Sequence, residues 1–208
     1  MNVFNNSDYN SSDGMLTSIW GPSMWHFLHT ISFNYPVKPT LEDKINYHNF
    51  VISLKSVLPC KYCRDNFWNN LEKVNYSPSI FENRKTFSKF IFDLHEEVNS
   101  MLGKKNNLTY NQAKFRYEHF RSRCLEKNKK QLEHKILEKG CVDSLYGKKS
   151  KCVLNIVPKE SKIESFRMSP KCIISKLNDL KIKKNNNSYF KTYREPITSV
   201  FNISHADE

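Results

Sequence analysis

The chain has 208 residues, room for one full domain and a smaller companion, with enough aromatic and aliphatic material to bury a sizeable core. Its opening, Met1-Asn2-Val3-Phe4-Asn5-Asn6-Ser7, is not a basic-then-apolar leader, and no apolar run approaches the ~20 residues of a membrane helix. The expected location is therefore cytoplasmic, where six cysteines would ordinarily stay reduced.

The formal net charge of +12 is unevenly spread. Residues 1–110 hold 11 Lys/Arg and 10 Asp/Glu, whereas 111–208 hold 22 and 11. A basic second half permits attraction to nucleic acid, acidic proteins or anionic membrane, but it is equally often only a solvated surface. Nucleic acid is accordingly the lesser reading.

Residues 1–15 are rich in Asn, Ser and Asp and read as a flexible N-terminus. A helix is expected from about Gly21 to Tyr35, with Pro22 in its first turn and Pro36 stopping it. Its apolar stripe is Trp20, Met24, Leu28 and Ile31, with Trp25, His29 and Ser32 beside it. Thr40-Leu41-Glu42-Asp43 reads as a cap with acid in the first turn, opening a second helix towards Leu58.

A third helix is expected to start at Pro59-Cys60-Lys61-Tyr62-Cys63 and to run to about Val74. Asn83 can cap a fourth, in which Phe87, Ile91, Leu94, Val98 and Met101 recur at helical spacing before Gly103. Thr109 and Gln112 form a capping box for a charged fifth helix reaching Lys139. Beyond Gly140 the texture changes, with β-type runs at Cys152–Val157 and Lys171–Ser175.

The expected fold is thus mainly α. A bundle of four to five helices spans 16–139, followed by a small mixed α+β segment over 140–208, basic and of no assigned role.

The chemistry centres on Cys60 and Cys63. At a helix N-terminus, backbone N–H groups and the macrodipole favour thiolate over thiol, and Lys61 and Arg64 add positive charge. A Cys-x-x-Cys pair held so can form an exchangeable disulfide. The competing reading is half a zinc site, but no second Cys-x-x-Cys exists to complete one, so redox chemistry is favoured and no metal is expected.

Trp25 and His29 stand i,i+4 on the first helix, and His95 and Asn99 stand i,i+4 on the fourth, with Leu102 close by. Each alone is ordinary core. A bundle bringing both faces to the cysteines would surround them with rings, imidazoles and an amide, which suits a flat, polar-edged cofactor.

These residues fall in a recognisable order. Trp20-Gly21-Pro22-x-x-Trp25-x-x-Leu28-His29, Pro59-Cys60-x-x-Cys63 and His95-x-x-Val98-Asn99-x-x-Leu102-Gly103-Lys104 resemble the motifs of the Erv/ALR flavin-linked sulfhydryl oxidases. The resemblance covers about 15–120, and the added C-terminal segment is similar to that of larger members from giant DNA viruses.

The resemblance implies a helical bundle, often a homodimer, with FAD bound non-covalently. Trp20, Gly21, Trp25 and His29 would then line the flavin and its adenine-bearing tail. His95, Asn99, Leu102 and Lys104 would hold ribose, phosphates and adenine, and Tyr117 corresponds to a later aromatic of the family. Lys104 also suits an anionic pyrophosphate as a point charge.

Three departures stand out. Leu58 replaces an aromatic residue before Pro-Cys. Glu96 replaces the Asn after the motif's His, which would remove a polar contact to the cofactor. The structural disulfide of cellular members is absent, since its positions fall near Phe92 and Thr109.

The implied reaction is thiol oxidation. A protein or small dithiol attacks Cys60, expected to be the more exposed sulfur, and Cys63 passes the electron pair to the flavin, which oxygen reoxidises to give hydrogen peroxide. Cys124, Cys141, Cys152 and Cys172 are candidates for a relay pair or structural bridges, with three pairings open. The alternative is a non-enzymatic module, stabilised by zinc or disulfides, whose basic half binds nucleic acid.

Overall fold

A computed structural model describes residues 5–104, 108–123, 140–145, 151–152 and 156–157. Described residues through Lys104 belong to one compact unit and those from Leu108 onward to a second. The described residues thus divide between Lys104 and Leu108, whereas the composition changes at 139/140. The later β-type run at Lys171–Ser175 lies outside the described residues, as does most of Cys152–Val157.

The first unit holds α1 (Asn6–Asn10), α2 (Thr17–Asn34), α3 (Leu41–Val57), α4 (Lys61–Lys73), a 3-10 turn (Pro78–Phe81) and α5 (Arg84–Met101). α2 begins a turn earlier than its proline suggests, so Pro22 lies inside it. Its ring removes the amide that would bond the Ser18 carbonyl.

α3 starts as its sequence dictates. Thr40 Oγ1 accepts from the Asp43 amide while Asp43 accepts from the Thr40 amide, a reciprocal cap. α5 is capped likewise, with Asn83 Oδ1 accepting from the Lys85 and Thr86 amides and Thr86 Oγ1 accepting from the Asn83 amide.

α5 is the organising element, packing against α2, α4 and the 3-10 turn, while α3 packs on α4. Its apolar face, Phe87, Ile91 and Leu94, is fully buried with Val51 of α3 and Leu71 of α4. Each such side chain contributes about 1.5–3 kcal/mol of transfer free energy.

Tyr35 is buried at the end of α2 and would be costly with its hydroxyl unsatisfied. That hydroxyl donates to the Phe81 carbonyl at 2.8 Å, and the ring meets Tyr47 edge-on at 4.6 Å. Tyr35 thus ties α2 to the 3-10 turn ahead of α5.

In the second unit, Thr109 and Gln112 form the expected reciprocal cap, but α6 runs only over Tyr110–Glu118. The fifth helix does not continue to Lys139: after the turn at His119 and Phe120, Ser122–Arg123 (β1) pairs antiparallel with Asp143–Ser144 (β2). Two-residue strands leave no alternation of side chains for a sequence reading to detect.

The N-terminus also departs from a flexible tail. α1 is formed over Asn6–Asn10, and Gly14 makes an antiparallel bridge to Cys60.

Among the described residues, no helix is long and apolar enough to cross a membrane.

Candidate active site

Cys60 is the N-cap of α4, with extended backbone, and Pro59 lies just outside the helix. Cys60 Sγ accepts from the Cys63 amide at 3.2 Å, and the two cysteines form a disulfide with Cα atoms 5.2 Å apart. The sulfurs therefore sit at the positive end of α4. On reduction the Cys63 amide is already placed to stabilise a Cys60 thiolate.

One expectation reverses here. Cys60 is the more enclosed sulfur-bearing residue, 9% exposed, whereas Cys63 is half-buried. The chain before α2 accounts for the difference. Met15 N–H donates to the Pro59 carbonyl at 2.7 Å, and Lys61 N–H donates to the Asp13 carbonyl at 2.7 Å.

Arg64, on the first turn of α4, completes the enclosure. Its Nη1 donates to the Leu58 carbonyl at 2.6 Å and its Nη2 to the Ser12 carbonyl at 2.8 Å. In the sequence Arg64 reads only as nearby charge; its bridging role depends on a segment distant in sequence and has no local signal.

A second cluster forms where α2 meets α5. The Trp25 indole stacks on the His95 imidazole, with centroids 4.1 Å apart and planes 9° from parallel. His29 Nε2 lies 3.0 Å from His95 Nδ1, close enough for one ring to donate to the other. Trp25 and His29 of α2 thus meet His95 of α5.

Both imidazoles are held neutral. Burial pushes the His29 pKa down to about 3, helped by His26. Burial also lowers His95 well below 6.5, with His29 and Lys104 adding repulsion.

The end of α5 places Lys104. Gly103, at φ 68°, allows Lys104 N–H to reach the Asn99 carbonyl at 2.8 Å and Gly103 N–H to reach Ser100 at 3.0 Å. This closing pair is a Schellman turn, which needs the left-handed conformation at residue 103. Partial burial lowers the Lys104 ammonium pKa. An anion at that position would relieve the desolvation.

Asn99 Nδ2 donates to Glu96 Oε1 at 3.4 Å, so the Glu96 departure engages its own helix neighbour. Leu102 caps α5 and is 42% exposed. Trp20 directs its indole N–H to the Met15 carbonyl at 3.0 Å. Apart from its chain neighbours and its own helix backbone, nothing among the described residues lies within 4 Å of where a Cβ on Gly21 would stand. Tyr117 lies in the second unit, buried, its phenol pKa raised by that burial.

Among the described residues, no group of three or more His, Cys, Asp or Glu side chains could hold a metal ion. Cys141 is disulfide-bonded and Cys152 is free and exposed. Cys124 and Cys172 lie outside the described residues.

The Erv1/Alr family profile matches residues 22–121. An FAD-linked sulfhydryl oxidase relative from Invertebrate iridescent virus 6 is 33% identical over 90 residues, covering 41% of this chain and 81% of its own. The chain belongs to the Erv1/Alr family. A similarly named relative from Acanthamoeba polyphaga mimivirus is 39% identical over 94 residues, 45% of this chain, and the match spans 65% of that relative's length. The crystal structure of the FAD binding domain of Erv1 from Saccharomyces cerevisiae aligns over 50% of this chain and 95% of that one. Its sequence identity is 24% and the TM-score is 0.45.

The residues of this Erv1/Alr chain suit a flavin dinucleotide on chemical grounds. The Trp25–His95 stack offers a flat aromatic surface, and the neutral imidazoles bring hydrogen-bonding edges without charge. Lys104 supplies a partly desolvated cation for a phosphate.

Proposed function

We propose that this Erv1/Alr chain is an FAD-dependent thiol oxidase that forms disulfides in dithiol substrates through Cys60 and Cys63. The observation that carries the reading is the Cys60–Cys63 disulfide capping α4, with a backbone amide already on Cys60 Sγ. Trp20, Gly21, Trp25, His29, His95, Asn99, Leu102 and Lys104 would hold the cofactor. Bound FAD would supply two-electron acceptor chemistry and return the electrons to oxygen as hydrogen peroxide.

The protein's own part is thiol–disulfide exchange. A substrate thiolate attacks Cys60 Sγ, forming a mixed disulfide and releasing Cys63 as thiolate. The second substrate thiolate then attacks the substrate sulfur of that bond, and Cys60 leaves as thiolate. The Cys63 amide and the α4 N-terminus stabilise that leaving group. The substrate has lost two electrons and two protons, and the cysteine pair holds the electrons.

The homodimer belongs to this reading as well. Ile19 and Phe27 of α2 and Leu41 and Ile45 of α3 are 44–75% exposed, apolar surface that a second copy could cover. Sedimentation would show a dimer that Phe27→Glu and Ile45→Glu dissociate.

The enzymatic reading is tested with purified full-length protein. It predicts flavin absorbance in the visible blue, oxygen uptake with dithiothreitol and matching peroxide release. Colourless protein that does not take up added FAD would reject it.

A further inference from the structure

The segment Ser12–Met15 is held against the active disulfide from several sides. Met15 N–H donates to the Pro59 carbonyl and Lys61 N–H donates to the Asp13 carbonyl, both at 2.7 Å. Together they make Gly14 and Cys60 directly opposed residues of an antiparallel pair. Arg64 fastens the front of the segment through the Ser12 carbonyl, and Trp20 fastens its end through Met15.

Gly14 fits this contact for two physical reasons. Its φ of 99° lies in the left-handed region. A Cβ there would stand 2.6 Å from the Pro59 oxygen and 3.0 Å from Cys60 Cα. A side chain at this position is incompatible with the docked segment.

The bonding pattern also fixes a geometry. Gly14 and Cys60 exchange no hydrogen bond with each other; the bonds come from the residues either side. In such an antiparallel pair the opposed Cα atoms lie about 4.5 Å apart and side chains approach most closely. That spacing falls within the ~4.4–6.8 Å spanned by disulfides. Gly14's left-handed backbone would turn a side chain into Pro59, but a cysteine in ordinary extended backbone, paired in the same register, would have its sulfur within bonding reach of Cys60.

We propose that Pro59–Lys61 is a strand-pairing edge for an extended polypeptide substrate, and that Ser12–Met15 occupies it as a built-in stand-in until displaced. The substrate would add by backbone hydrogen bonds to the Pro59 carbonyl and Lys61 amide, with its cysteine opposite Cys60 in extended rather than left-handed backbone. The class selected is an unfolded or loop-borne dithiol, since a rigid surface cannot enter as a strand. This rests on the thiol-oxidase reading for its chemistry, in which the substrate thiolate bonds to Cys60 Sγ as the Cys60–Cys63 bond breaks. The pairing itself does not depend on turnover.

Gly14→Val and Met15→Pro in the full-length holoprotein release the strap by unrelated means, one by collision and one by removing a donor. Both should raise exchange of the Lys61 amide. Adding a short Thr/Val-rich peptide with serine at its two intended cysteine positions should restore protection there. The dithiol version should show kcat/KM raised about tenfold relative to dithiothreitol, equivalent to about 1.4 kcal/mol of released competition.

Unchanged Lys61 exchange in both variants, or failure of the serine peptide to restore protection, overturns the proposal. Equal gains for the peptide and dithiothreitol also overturn it, because they indicate unblocking without strand pairing. If the protein oxidises no dithiol but the serine peptide still protects Lys61, the thiol-oxidase reading fails and the pairing edge stands.

Discussion

His29 Nε2 and His95 Nδ1 meet at 3.0 Å across α2 and α5, and the Trp25 ring stacks on His95 with centroids 4.1 Å apart. One nitrogen must donate and the other accept, so the contact suits two neutral rings and is lost if both become charged. Burial reinforces this by lowering both pKa values.

This predicts acid sensitivity. Both folded pKa values lie below 6.5, so the unfolded chain binds protons first as pH falls. The stability contribution is present above pH 6.5 and is lost as pH falls towards about 3 for His29. The slope approaches about 1.4 kcal/mol per pH unit for each histidine. Urea midpoints should fall between pH 7 and pH 5, and Gln at both positions should flatten that dependence.

His95→Ala should remove the stacking surface and deprive His29 Nε2 of the partner it has here. A stability loss of about 2 kcal/mol is expected by chemical denaturation. Purified variant should also retain much less flavin. His95→Ala with wild-type flavin content would remove this cluster from the cofactor site.

Lys104→Gln separates cofactor binding from folding. The ammonium is partly desolvated and makes no ion pair among the described residues, so its loss should leave the melting temperature nearly unchanged. FAD affinity should fall by about 1.5–3 kcal/mol, the worth of a charged hydrogen bond. Excess FAD should restore activity.

Asn83→Ala probes how far the site depends on α5. Asn83 accepts from two first-turn amides, and its loss should cost about 1 kcal/mol. The melting temperature should drop while the dithiothreitol rate of folded protein is maintained. A selective loss of activity without loss of stability would contradict a capping role.

Much of this architecture was legible in local sequence. Thr40, Asn83 and Thr109 announced their helices because a cap needs only neighbours within three residues. Trp25, His29 and His95 were readable because helical spacing sets which side chains share a face.

What escaped were the longer-range contacts. Gly14 and Arg64 act across about fifty residues of chain, and nothing in the polar composition of 1–15 signals backbone pairing. Cys60 reads as exposed for the same reason: a helix tip is open unless a distant segment covers it. The end of α6 at Glu118 was missed because charge patterning carries no stop signal as clear as glycine or proline.

The most direct test is anaerobic mixing of full-length protein with dithiothreitol while flavin absorbance is followed. Wild type should bleach, and Cys63→Ala should stay yellow with its FAD bound. Bleaching of Cys63→Ala at the wild-type rate would contradict electron transfer through the cysteine pair.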